Sequence, residues 1–100
     1  MPGSETSKGV NFHYVYIIES QNDRTHRYIG YTTDLRKRIT DHNQGLNQST
    51  KPFRPWKLIY YEACLNRDDA QRRERYSKTT QGWRLLQRRL KEYLYHIKSK

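Results

Sequence analysis

"RYIGYTTDLRKRITDHN", residues 27–43, decides how this chain folds. Its opening is aromatic and β-branched, the composition of a strand. Thr32 or Thr33 then offers a hydroxyl to cap a helix, with Asp34 in the first turn, where a negative charge suits the helix dipole. Leu35, Ile39 and His42 fall on one face at i, i+4 and i+7, and Arg36, Lys37 and Arg38 span other faces of the same turn. Gly30 reads as a structural turn position, its missing Cβ letting the backbone turn tightly between strand and helix. One short turn therefore joins the strand carrying Tyr28 to the helix carrying Arg38 and His42.

Upstream, "HYVYIIES" (13–20) has the pattern of a buried strand. "QNDRT" supplies turn chemistry, so this strand and the one containing Tyr28 form a hairpin. Downstream, a loop rich in Gly, Asn and Pro leads to "WKLIYYEA" (56–63), the third strand. Asn66 caps a second helix carrying Asp68 and Asp69 near its start and Arg72, Arg73, Arg75 and Lys78 beyond. "TTQG" (79–82) breaks it. "WRLLQRRLKEYLYHIK" (83–98) repeats apolar positions at Leu86, Leu90, Tyr93, Leu94 and Ile97, one amphipathic helix with an arginine-rich back. The predicted fold class is α+β: order ββαβαα over residues 13–98, a small three-stranded antiparallel sheet flanked by helices. Residues 1–12, polar and rich in small side chains, are expected to be a disordered leader.

Composition bounds the partners. One hundred residues suit a single domain with a modest core. Only 33% are hydrophobic and nine are tyrosines, whose hydroxyls need water or a partner. Twenty Lys and Arg against ten Asp and Glu leave a net charge of +10, which attracts polyanions and favours nucleic acid. The single cysteine, Cys64, excludes an internal disulfide and a Cys-rich zinc site. A reducing cytoplasm is the compartment expected from this lone cysteine, and no apolar run approaches the roughly 18 residues of a membrane span, so no membrane partner is expected.

"YVY" at 14–16 and "YIG" at 28–30 together resemble the two-part signature of the GIY-YIG nuclease superfamily. The resemblance continues into the helix, where Arg38 and His42 match the arginine and the His or Tyr on successive turns. Glu74, in "AQRRERYSK", is similar to the glutamate that binds metal in that superfamily. The likeness covers residues 13–78 and is closest to the small single-domain bacterial members. Tyr-Val-Tyr stands in place of Gly-Ile-Tyr. Tyr31 stands where some repair members carry lysine, and no asparagine follows Asn66.

The resemblance implies a metal-dependent DNA endonuclease with Tyr16, Tyr28, Arg38, His42 and Glu74 as its catalytic set. Glu74 would hold Mg²⁺, or Mn²⁺ in its place, since such ions take one or two carboxylates plus waters. Arg38 offers a planar fork to phosphate oxygens, which lysine does not. Tyr16 is the expected general base and Tyr28 positions water or phosphate, or the two roles are exchanged. A phenol with an ordinary pKa near ~10 must be depressed to serve as a base, and Arg38 with a metal on Glu74 would do that. His42 is expected to hold the Tyr16 hydroxyl or take its proton.

Arg36 and Lys37 read as ordinary solvated cations that add to DNA binding. Lys51, Arg54 and Lys57, interleaved with Phe53 and Trp56, suit phosphate contact plus base stacking, though Trp56 fits better as packing under its loop. Arg72 and Lys78 join the basic surround of Glu74. With no separate recognition domain, single-stranded, branched or duplex DNA is read by shape more than by sequence, with a role in repair, recombination or processing. Two other readings stay open: a non-catalytic nucleic-acid-binding protein that retains the fold, and a nuclease active only with a protein partner.

Overall fold

The computed structural model of the chain describes residues 11–98. Most of the leader expected over residues 1–12 lies outside that range. The elements are β1 (His13–Ser20), β2 (Arg27–Thr32), α1 (Leu35–Asn43), a 3₁₀ turn (Lys51–Phe53), β3 (Trp56–Cys64), α2 (Arg67–Ser77), α3 (Thr80–Arg89) and α4 (Lys91–Lys98). The α+β class and the three-stranded antiparallel sheet are as expected.

Strand β1 is central, in the order β2-β1-β3, and is buried without interruption from Val15 to Ser20. Helices cover both of its faces, which is why the strand reads as an apolar run rather than an alternation. The hairpin turns on side-chain bonds. Ser20 Oγ accepts from the backbone of Asn22 and Asp23, and Asp23 Oδ1 accepts from both Thr25 N–H and its hydroxyl.

Register sorts the strand residues by face. Tyr16 lies opposite Gly30 and Tyr61, and Ile18 opposite Tyr28. Between Ile17 and Ile18 the pairing with β3 slips, Tyr60 being followed by Leu58, so Ile59 is an inserted residue. That bulge turns Leu58 and Trp56 toward the face of Tyr16 and Ile18, where Tyr28, Leu35, Ile39 and Phe53 complete the core. Trp56, 4% exposed, packs as expected.

Asp34, rather than Thr32 or Thr33, is the α1 cap, accepting from Lys37 N–H at 3.1 Å; Thr32 Oγ1 in turn accepts from Asp34 N–H. Asn66 caps α2 as expected. The second helix ends at Ser77, just before "TTQG" as expected, and the same stretch also starts a helix: Thr79 caps α3 through Gly82 N–H. Gly82 is required there, because a Cβ would sit 1.9 Å from the Tyr76 carbonyl oxygen at the α2–α3 corner. The single C-terminal helix expected over 83–98 is two, divided at Leu90. Helix α1 packs against β3, and α2 against β1 and β2. Among the described residues no helix is long and apolar enough to cross a membrane.

Candidate active site

Tyr16 is 1% exposed, and its ring lies across Gly30. A Cβ on Gly30 would come within 2.4 Å of the Tyr16 hydroxyl. The turn role expected for Gly30 is therefore corrected. It sits inside β2 with no positive φ, and what it supplies is room for a phenol.

The Tyr16 hydroxyl is 2.8 Å from His42 Nε2, and His42 Nδ1 is 2.8 Å from Thr50 Oγ1. Thr50 donates onward to the Asn47 carbonyl at 3.3 Å, so its oxygen accepts from His42 Nδ1–H. That leaves Nε2 unprotonated, and Tyr16 donates to it. All three side chains are buried, His42 completely. Tyr28 is shallower; its ring meets His42 edge-on at 5.1 Å between centroids and lies 6.3 Å from that of Tyr16. Trp56 Nε1 donates to the Thr50 carbonyl, and Asn43 exchanges two bonds with the Trp56 backbone, which pins the loop and the end of α1 to β3.

Electrostatics hold this chain neutral. Burial pushes the Tyr16 pKa well above the ordinary phenol value, Tyr28 and Glu74 add to the rise, and Arg38 opposes it. Desolvation outweighs the single nearby guanidinium, so Arg38 alone does not depress the phenol. For His42, burial and then Arg38 lower the pKa, with Asp41 partly opposing. His42 is thus a neutral acceptor at neutral pH.

Arg38 is half-buried, and its guanidinium makes no hydrogen bond or ion pair among the described residues. Its neighbour Lys37 pairs with Asp41 at 3.1 Å, Arg72 with Asp69 at 2.9 Å, and Arg73 with Glu62 at 2.7 Å. Arg38 also lines a cavity of about 280 Å³ with Thr32, Thr33, Asp34, Lys37 and Asp41. Glu74 is mostly shielded, with 17% of its side chain exposed, and pairs with Lys78 one turn on. No cluster of three or more metal-ligating side chains occurs among the described residues. One shielded carboxylate fits a hard divalent ion that keeps most of its waters. It does not fit an all-protein cage.

The structure thus packs Tyr28 and His42 against the buried Tyr16 phenol, with Arg38 and Glu74 near enough for their charges to act on it. The wider basic set is scattered. Lys57 pairs opposite Glu19 and lies 5.6 Å from the Tyr93 ring, on the other face of the sheet. Arg72 is spent on Asp69, Arg36 is exposed on α1, and Lys51 and Arg54 line a separate hollow with Asn43, Pro52 and Pro55. Thr50 is the residue that the sequence reading missed, since no periodicity marks a threonine within "NQST" as a histidine partner.

The GIY-YIG catalytic-domain family model matches residues 12–84. The chain is 41% identical over 68 residues to UPF0213 protein SH2523 of Staphylococcus haemolyticus, covering 67% of this chain and 80% of that protein. It is 41% identical over 66 residues to UPF0213 protein CPE1444 of Clostridium perfringens, with 65% and 69% covered. UPF0213 protein YazA of Bacillus subtilis is 36% identical over 69 residues, with 68% of each chain covered. With the family model spanning both tyrosine motifs, the arginine–histidine helix and Glu74, this chain belongs to the GIY-YIG superfamily of nucleases.

Proposed function

We propose that the chain is a metal-dependent DNA endonuclease acting in the cytoplasm, with residues 13–98 as one nuclease domain that reads the shape of DNA in repair, recombination or processing. One observation carries the reading: a buried, neutral Tyr16–His42–Thr50 relay beside an arginine with no acid partner. A structural polar network has no use for an uncompensated, half-buried cation, whereas a phosphodiester supplies its missing counter-charge.

In this reading Arg38 takes two phosphate oxygens with its planar fork and stabilises the charge that develops on them. Tyr16 removes the proton of the attacking water while passing its own to His42 Nε2, so no free phenolate forms despite the raised pKa. Thr50 keeps the imidazole in the accepting tautomer. Because Tyr16 is shielded from bulk solvent, the productive water is one held against it by the bound phosphate and by Tyr28. Glu74 would hold a divalent cation, Mg²⁺ or Mn²⁺, which when bound supplies charge stabilisation for the phosphate and the leaving alkoxide. With a cation there, Lys78 would no longer be needed as the partner of Glu74.

The test is cleavage of single-stranded, duplex and branched DNA with Mg²⁺, Mn²⁺ or EDTA. Cutting that requires the metal supports the reading. Tight DNA binding with no cutting under any of these conditions, and none on adding a cell extract, would favour a binding protein instead.

A further inference from the structure

A groove of about 550 Å³ runs between the unpaired edge of β2 and the corner joining α2 to α3. Tyr28 and Ile29 form one wall, Lys78 and Thr79 the corner, and Trp83 the opposite side. Its volume lies within the roughly 300–1,000 Å³ typical of small-ligand sites. The groove is continuous with the candidate active site, because Tyr28 packs on His42 and Lys78 pairs with Glu74. Trp83 is partly buried, and the Arg27 guanidinium lies 5.9 Å from its ring centroid, held in turn by Glu19 at 3.0 Å. An indole and a guanidinium are thus fixed in place at the edge of the groove, and both are surfaces on which bases stack. Half of the Lys78 side chain is exposed, and its ammonium is a point charge suited to phosphate. Ser77 also lines the groove, and its shielded hydroxyl finds no hydrogen-bond partner among the described residues. Buried hydroxyls are rarely left so.

We infer that this groove holds the nucleotide flanking the scissile phosphate, its base against Trp83 and its phosphate on Lys78. Which strand occupies it rests on the nuclease reading above. The occupant follows from charge and chemistry: the chain carries a net +10, and the groove combines an aromatic wall, a cation and hydroxyls. An apolar peptide would leave the Ser77 hydroxyl without a partner and would offer nothing to the exposed part of the Lys78 side chain.

The test is binding of a short single-stranded oligothymidine in EDTA, which separates binding from cleavage. Trp83→Leu is expected to bind about tenfold more weakly or worse, with the salt dependence unchanged because no charge is lost. Trp83→Phe keeps a ring and should recover most of the affinity. Wild-type affinity in Trp83→Leu overturns the subsite. Photo-crosslinking of a 5-iodouracil oligonucleotide to the unmodified protein makes the test independent of any folding defect in the variants. Crosslinks at Trp83 or Tyr28 support the groove, and crosslinks confined to residues 51–57 overturn it. A crosslink at Trp83 in a protein that never cuts DNA would keep the subsite and sink the nuclease reading. Metal-dependent cutting with wild-type binding by Trp83→Leu would do the reverse.

Discussion

The two faces of the sheet bury their polar groups in opposite ways. On the far face, Glu19 meets Arg27 at 3.0 Å and the Tyr93 hydroxyl at 2.5 Å, and Glu62 meets Arg73 at 2.7 Å. Charge is matched by charge within the fold. On the near face the buried chain Tyr16–His42–Thr50 is neutral, and the cation beside it, Arg38, has no acid partner. Polar burial on the far face stabilises the fold, whereas in the proposed reading the near face is completed by the anion it binds. Substitutions on the far face should cost stability, and those on the near face should cost rate.

The largest effect is expected at Glu74. Glu74→Gln removes a charge and little volume, so Mg²⁺-dependent cleavage should disappear while DNA affinity stays nearly intact. Full cutting by Glu74→Gln, or wild-type cutting in EDTA, would remove the metal from the account.

A matched pair of smaller changes sharpens the contrast. Thr50→Val and Tyr93→Phe each delete one hydroxyl that bonds a buried group, His42 Nδ1 on the near face and Glu19 on the far face. Each should cost about 1–3 kcal/mol of stability in urea unfolding. Only Thr50→Val should also slow single-turnover cleavage, because it frees the imidazole to take the wrong tautomer. Equal slowing in both variants would mean that the faces do not differ in kind.

The mildest effect is in pH dependence, where His42 and Tyr93 act at opposite ends. Burial and Arg38 hold the His42 pKa below the ordinary histidine value near ~6.5. Under that pH the unfolded chain takes up a proton that the native ring refuses. The His42 contribution is therefore complete above ~6.5 and lost as pH falls through the window beneath it. Tyr93 is pushed the other way, from 10.0 to about 12, by burial and its bond to Glu19. Its contribution is whole below about 10 and lost as pH rises toward 12, a range shared with the raised Tyr16. Melting temperature against pH should show a flatter acid limb in His42→Gln and a flatter alkaline limb in Tyr93→Phe. An unchanged acid limb in His42→Gln would contradict a neutral, buried His42.

Much of this contrast could be read before any coordinates, because it is local. The strands, the Leu35–Ile39–His42 face and the Asn66 cap follow from side-chain period and capping chemistry over a few residues. What escaped was set by contacts distant in sequence. Lys57 stands on the far face because one inserted residue, Ile59, flips the parity of β3. Gly30 was read from its place before a helix, while its reason lies across the ladder in the Tyr16 ring. Thr50 meets His42 only because the loop after α1 folds back, pinned through Asn43 and Trp56. The direction of the Tyr16 shift depended on burial, which a list of nearby charges does not contain.

The central claim is that Arg38 waits for a phosphate, and single-turnover cleavage by Arg38→Lys at saturating protein tests it most directly. Lysine keeps the charge and loses the planar fork, so DNA affinity should survive. The rate should fall by about 10²–10³, the usual cost of losing one preorganised donor. Arg36→Ala, on an exposed side chain of the same helix, should weaken binding slightly and leave the saturated rate almost unchanged. If Arg38→Lys cuts at the wild-type rate, or loses only affinity as Arg36→Ala does, Arg38 is one more steering cation and the near face is not an active site.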